Sequence, residues 1–405
     1  MTFDPQLARK EFPILAREVN GHPLVYLDSA ASAQKPLAVI QAISNAMASS
    51  YANVHRGLHT LANETTEAYE AARAAAARLI SARRADEVVF TKGATEAINL
   101  VAATLGLEWG ESDEVVLTEM EHHANIVPWH FLRERRGVTL KFAPVFDDGR
   151  LDVEGLYRLI GPRTRLVAVT HMSNVLGTIN PVAEIVAAAH AAGARVLVDG
   201  CQAIVHAAVD VADLDVDFYV FSAHKLYGPT GVGVLYGKAE VLAEMPPYQG
   251  GGEMIDSVSK DSVTYAEPPH RFEAGTPPIL EAIGLHAAID WFQAQDRKAI
   301  EIHERALYDR VKMGLSGANW FTEMGQAPGK GPIFAFNVAG AHPHDIAQLL
   351  DRYGIAVRAG THCAEPLMRR FRVAASARAS FALYNTLEEA DIFVERLERT
   401  RTFFD

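Results

Sequence analysis

Between about residues 85 and 236, seven short β-prone runs alternate with helix-like segments, and that order admits few folds. The runs are EVVFT, DEVVLTE, TLKFAPV, RLVAVTHM, ARVLVDG, DFYVFSA and GVGVLYG. Between them lie Thr95 to Leu105, Asn125 to Arg136, Val153 to Ile160 and Val182 to Ala192, the last two followed directly by glycine. Such alternation predicts an α/β fold with a mainly parallel sheet, because parallel neighbours need a crossover long enough to hold a helix. In sheets of this kind ligands bind beyond the carboxyl ends of the strands, so chemistry is expected at strand-end residues.

Downstream, residues 246 to 278 are rich in Gly and Pro without periodicity and read as long ordered loops over a cleft. Apolar residues recur at helical spacing from about Leu280 to Leu315. Strand-like IFAFNV, helix-like HDIAQLLDRYG, strand-like IAVRA and a closing helix from Thr386 then predict a smaller α/β lobe.

Composition removes several function classes. A formal net charge of −12 over 405 residues argues against nucleic-acid and anionic-membrane partners, which demand a basic surface. Two cysteines, Cys201 and Cys363, are too few for a disulfide framework and neither has zinc-ligand spacing around it, which predicts a reducing compartment. The first residues, MTFDPQLARKEFP, hold no apolar signal core, and no stretch reaches about 18 apolar residues, so a cytoplasmic location is expected.

Four strand-end positions carry candidate chemistry. In DFYVFSAHKLYGPTGVG, Lys225 follows an apolar run at the mouth of a glycine-rich turn, where an amine is held in a half-buried cleft as a Schiff-base lysine requires. In VLVDGCQA, Asp199 ends an apolar strand, with Gln202 three positions on; a buried aspartate is costly unless paired, and a cationic ring nitrogen is one such partner. A turn or N-cap aspartate is the plainer reading of Asp199 taken alone. Lysine and acid together match pyridoxal phosphate enzymes. In TKGATEAINLV a strand passes through Gly93 into a helix opening with Ala94 and Thr95, whose free N–H groups suit a phosphate, as do the nearby Ser222 and His224. In IAVRAGTHCAEPL, Cys363 sits in a polar loop with Arg358 five residues before it, suggesting a mobile, partly exposed thiol and a guanidinium able to clamp a carboxylate. Cys201 reads as ordinary packing.

Two features are set aside. His122 and His123 suggest a metal, but in a strand they would point to opposite faces and no Cys/His cluster supports them; an imidazole stacked on a flat cofactor ring fits better. The GxG of GVGVLYG lies inside a strand-like run and not at a strand-to-helix turn, unlike a dinucleotide loop.

With YLDSAASAQKP, NVHRGLHTLA, TKGATEAINLVA, EMEHHANIVPW, THMSNVLGTINP, VLVDGCQA, FSAHKLYGPTGVGVLYG, YQGGGEMI, RFEAGTP, GIAVRAGTHCAEPLM and ARASFALYNT in one order, the chain resembles the cysteine desulfurases of the class V aminotransferase group, in the SufS-like (group II) branch. The resemblance implies a fold-type I pyridoxal 5'-phosphate enzyme, a homodimer with a large seven-stranded domain over residues 22–290. A small domain would comprise 1–21 and 291–405 and carry the Cys363 loop. It implies that Lys225 carries the cofactor, Asp199 holds its ring nitrogen, His122 stacks on the ring and takes part in catalysis, and Gln202 contacts the phenolic oxygen. Ala94, Thr95, Ser222 and His224 would bind the phosphate, with Thr276 supplied by the other subunit. His55, Asn174, Arg358 and Arg378 would line the substrate side. The implied reaction converts L-cysteine to L-alanine, leaves a persulfide on Cys363 and passes the sulfur to an acceptor protein of SufE or SufU type for iron–sulfur cluster assembly. Selenocysteine lyase or cysteine sulfinate desulfinase activity is the near alternative, L-selenocysteine being a second candidate substrate. A non-catalytic pyridoxal phosphate-binding scaffold is the distant alternative. Thr361 stands where relatives often have histidine, and Cys201 where alanine is more usual.

Overall fold

The seven β-prone runs form one sheet in the computed structural model, which describes residues 3–404. Its strands are β1 (Val88–Thr91), β2 (Glu114–Thr118), β3 (Thr139–Ala143), β4 (Thr164–Thr170), β5 (Arg195–Asp199), β6 (Phe218–Ser222) and β7 (Gly233–Gly237). They lie in the order β1-β7-β6-β5-β4-β2-β3. From β3 through β6 neighbours pair in parallel. Strand β7 runs antiparallel to both β6 and β1, because the link 223–232 contains no crossover helix that could bring the chain back to the starting edge.

Continuous apolar runs are what a sheet covered on both faces needs. Val167, Val169, Val196 and Val198 join one core cluster, while Leu166, Ala168 and Leu197 join the other, so alternate residues serve opposite faces. Each such valine or leucine, removed from water, contributes roughly 1.5–3 kcal/mol. Helix Val182–Ala191 packs on β4 and β5, and helix Ala94–Leu105 on β6 and β7.

The smaller lobe is an antiparallel sheet, β8 (Phe321–Met324), β9 (Ile333–Val338), β10 (Arg358–Gly360) and β11 (Ser376–Ser380), in the order β8-β9-β11-β10. Its core includes Leu307, Phe334, Phe336 and Phe393, joined by Val25 and Leu27 from near the N-terminus. Val25–Tyr26 pairs in parallel with Ile355–Ala356, and Ser380 N donates to Leu27 O at 2.7 Å. Residues 25–28 therefore pair with backbone of the small lobe, Val25–Tyr26 in a separate two-stranded sheet and Leu27 and Asp28 against Ser380. Phe12 wedges between the lobes, its ring centroid 5.2 Å from Trp291 and 4.8 Å from Tyr384.

Three segments differ from their sequence reading. The Leu280–Leu315 pattern is two helices, Ile279–Gln293 and Arg297–Gly314, broken where the Asp296 carboxylate accepts Ala299 N at 3.0 Å as an N-cap. IAVRA divides between two sheets, Ile355–Ala356 in one and Arg358–Gly360 in the other. Within 246–278 an exposed hairpin, Ile255–Val258 with Val263–Tyr265, interrupts the loops.

Candidate active site

The parallel strands end on one side of the sheet, and two of those ends define a cavity between the lobes. Asp199 closes β5 and Ser222 closes β6, with Ser222 passing at once into the 3-10 turn Ala223–Lys225. Helix Ala94–Leu105 starts beside them without a side-chain N-cap; Ala94 N instead donates to Ser222 Oγ at 2.9 Å. Ala94, Thr95, His122, Asn174, Asp199, Ser222, His224, Lys225, Arg358, Cys363 and Arg378 all line this one cavity. Eleven side chains spread over nearly 300 positions of sequence meet there.

Asp199 is buried; its carboxylate accepts Cys201 N at 3.0 Å and meets the Cys201 thiol, and it lines the cavity. His122 Nδ1 accepts Ala124 N at 3.1 Å, so its proton resides on Nε2. Burial, reinforced by the neighbouring Lys225 charge, pulls the His122 pKa down to about 4, and burial does the same to His224. Both rings are thus neutral at physiological pH. The carbonyl of His224 accepts Ala33 N at 3.1 Å and Lys35 Nζ at 2.9 Å, fastening the lysine turn to the 30–35 segment.

Opposite the sheet edge, β10 and β11 place Arg358 directly across from Arg378. Like charges facing each other across a strand pair are unfavourable, and an anion between them removes the penalty. Arg378 is buried, donating to Asn174 O at 2.8 Å and to Asp28 Oδ1 at 3.1 Å, while its Nε has no partner among the described residues. Arg358 is exposed at the cavity edge and makes no hydrogen bond or ion pair among the described residues.

Cys363 is exposed on the loop between β10 and helix Glu365–Arg370. Both His362 (φ 52°) and Cys363 (φ 56°) occupy the left-handed region, which non-glycine residues enter only when their surroundings hold them there. Asn174 Nδ2 donates to His362 O at 2.9 Å, and His362 Nε2 meets the backbone and hydroxyl oxygens of Ser376, each at 3.0 Å.

Three expected residues stand outside this cavity within one chain. Gln202 is buried and donates to Ala30 O at 2.8 Å, so it touches the cavity wall at one remove. Thr276 lines a separate exposed cleft with Lys92, Glu96 and Gln249. His55 bonds Glu70 at 3.0 Å and lies 3.8 Å from Glu253. Cys201 packs in a core cluster, as expected, and also lines the cavity, with burial pushing its thiol up to about 12. Two further groups went unread in the sequence. Lys35 is pulled down to about 8 by burial, and the fully buried Glu121, beside His122, is pushed up to about 8 for the same reason. No local pattern betrays either one.

The donor set fits pyridoxal 5'-phosphate. Lys225 offers the amine for its aldehyde and Asp199 an anion for its ring nitrogen. The uncapped start of the Ala94–Leu105 helix, with Ser222 and His224, offers N–H and O–H groups to a phosphate dianion.

Comparison with known proteins agrees. The chain is 53% identical over 393 residues to a cysteine desulfurase of Dickeya dadantii, covering 96% of this chain and 95% of that one. It is 51% identical over 401 residues to a cysteine desulfurase of Serratia proteamaculans, covering 98% of each. The crystal structure of the cysteine desulfurase CsdA from Escherichia coli superposes with a TM-score of 0.93 at 40% identity over 100% of both chains. A mutant of C-DES with glycine covalently linked to its PLP cofactor superposes with a TM-score of 0.82 at 26% identity, over 96% of this chain and 98% of that one. The family described as Aminotransferase class-V matches residues 25–393, and the chain belongs to it.

Proposed function

We infer that this chain is a pyridoxal phosphate-dependent cysteine desulfurase, converting L-cysteine to L-alanine and taking the sulfur onto Cys363 as a persulfide. The observation that carries the reading is the convergence on one cavity of Lys225, Asp199, the paired Arg358 and Arg378, and an exposed thiol on a loop. When bound, the cofactor supplies the electron sink for the charge left on the substrate Cα. Arg358 and Arg378 receive the substrate carboxylate, orienting Cα toward Lys225 and the sulfur toward Cys363. Lys225 Nζ removes the Cα proton. Asp199 would hold the cofactor's ring nitrogen and balance its positive charge, and His122, neutral with its proton on Nε2, would stack on the ring. Cys363 Sγ then bonds to the substrate sulfur as the substrate Cβ–S bond breaks, and the carbon skeleton, reprotonated, leaves as L-alanine.

The same reading extends to assembly and partners. A homodimer is supported by the exposed apolar residues Leu37, Ile40, Met47, Tyr51, Leu58 and Leu61, Leu58 being 100% exposed, and by Thr276 lying outside its own chain's cavity. An exposed persulfide suits transfer to an acceptor protein of SufE or SufU type for iron–sulfur cluster assembly, within the SufS-like branch. Two free cysteines suit a cytoplasmic location. The same amine and arginines would serve L-selenocysteine, as a selenocysteine lyase would require.

The test is Cys363→Ala assayed for alanine release from both amino acids, with mass spectrometry of the wild type after cysteine addition. Loss of cysteine turnover, a sulfur adduct on Cys363, and visible cofactor absorbance that Lys225→Ala removes are expected. Unchanged alanine yield from cysteine in Cys363→Ala rejects the persulfide step. Cofactor absorbance in wild type with no alanine formed would leave only a binding scaffold.

A further inference from the structure

The adjacent histidines divide their work between two sides of one turn. His122 lines the cavity, whereas His123 lines an outer groove with Glu119, Ile126, His130, Glu365 and Arg369. His123 nonetheless reaches the thiol loop twice. Its backbone N donates to Cys363 O at 2.6 Å, and its ring Nε2 accepts Glu365 N at 3.1 Å.

The second bond answers a specific need. Glu365 opens the helix Glu365–Arg370, and the preceding Ala364 has no side chain that could cap it. Free N–H groups at a helix start need an acceptor, ordinarily the N-cap side chain. Here that acceptor comes from a histidine 242 positions earlier in sequence. The need is sharper because the two residues before Ala364 are both left-handed and depend on outside contacts to remain so. Asn174 secures the upstream side at His362 O, and His123 secures the downstream side.

We propose that His123 is a positioning residue for the nucleophilic thiol: its ring caps the helix leaving the Cys363 loop and so holds the loop in the conformation that presents Sγ to the cavity. The ring must be neutral with its proton on Nδ1, since an imidazolium has no acceptor. Substitution removes the ring's bond and leaves the backbone bond to Cys363 O in place. Freed of one hydrogen bond, the loop is expected to open about fivefold more often, the net worth of such a bond being of that order. Cysteine binding is expected to hold, because Lys225, Arg358 and Arg378 are untouched.

The experiment compares His123→Leu and His123→Gln holoenzymes with wild type, following amide exchange across residues 361–366 and the alkylation rate of Cys363. Leu is expected to accelerate both about fivefold, and Gln, whose side-chain oxygen can replace Nε2 as acceptor, to restore them. Wild-type rates in His123→Leu, or equal acceleration in both variants, would overturn the proposal. A wild-type measurement guards against poor folding of either variant: the 15N shift of the His123 Nε2 must be that of an unprotonated accepting nitrogen, and a protonated Nε2 overturns the proposal. In turnover, kcat for cysteine falls while spectroscopic affinity for cysteine is unchanged. That kinetic split rests on Cys363 as sulfur acceptor, whereas exchange, alkylation and 15N shift do not, so failure of the two readings can be told apart.

Discussion

Gly233 is where the smallest substitution should damage cofactor binding most. A Cβ at this position would lie 2.4 Å from Gly93 Cα, 2.7 Å from Gly93 C and 2.9 Å from Phe221 O, all backbone atoms with no rotamer to yield. Gly233 pairs with Thr91 on one side and Ser222 on the other, so it sits between the two strand ends proposed to hold the cofactor phosphate. Ordinary carbon contacts begin near 3.5 Å, so Gly233→Ala must push the Gly93 turn away by about 1 Å. Overpacking of this kind costs about 1–3 kcal/mol. Displacing Gly93 displaces the N–H groups of Ala94 and Thr95 with it, and a loss of about 1.4 kcal/mol there weakens cofactor binding about tenfold. The assay is absorbance titration of cofactor-free protein with pyridoxal phosphate, beside a urea unfolding curve. Gly161→Ala is the control, since its Cβ would meet nothing within 4 Å. Equal cofactor affinity and equal unfolding midpoints for Gly233→Ala and Gly161→Ala would refute the reasoning.

Other outcomes follow from burial and charge. With the Cys201 thiol pushed up to about 12 by burial and Cys363 exposed, iodoacetamide near neutral pH should label Cys363 alone; comparable labelling of Cys201 in folded protein, read by peptide mass, contradicts this. Burial holds His122, His171 and His224 at about 4 and His362 at about 3, against an ordinary 6.5. Below 6.5 the unfolded chain therefore binds more protons at these four sites, which outweighs the opposite effect of Glu121, so the cofactor-free protein loses stability from about pH 6.5 toward pH 4; a urea midpoint flat from pH 6.5 to 5 contradicts it. Arg73 is buried and grips Glu273 at 2.6 and 2.9 Å, so Arg73→Met should destabilise by about 3–5 kcal/mol by stranding a buried carboxylate, and a double Arg73→Met, Glu273→Gln variant should recover part of that loss in denaturant titration.

Most of the large lobe was legible because its physics is local. Doubly covered parallel strands must be apolar throughout, and their crossover helices announce themselves by period and terminal glycine. The strand-end residues Asp199 and Ser222, and Lys225 in the turn after β6, could be read for the same reason. What escaped depends on contacts distant in sequence. The direction of β7 follows from the short link 223–232, visible in the sequence but masked by the alternation before it, whereas its place beside β1 rests on contacts distant in sequence. Lys35 looks like a surface lysine until the His224 carbonyl lies upon it. The break at Asp296 was visible in principle, as an aspartate before a new helical turn, but the continuing apolar spacing on either side masked it. Arg358 and Arg378 each stood out, yet their pairing is a fact of register, 20 residues apart in the chain and adjacent across two strands.

That pairing bears on how the enzyme could change its diet. Arg378 belongs to the small lobe's sheet yet clasps Asp28 and the Asn174 carbonyl, so it doubles as a rivet between halves of the molecule. Altering it to welcome a new compound would loosen the architecture in the same stroke. Arg358 holds no such second post. Selection for a different carboxylate-bearing amino acid therefore has one adjustable arginine to work upon and one frozen beside it.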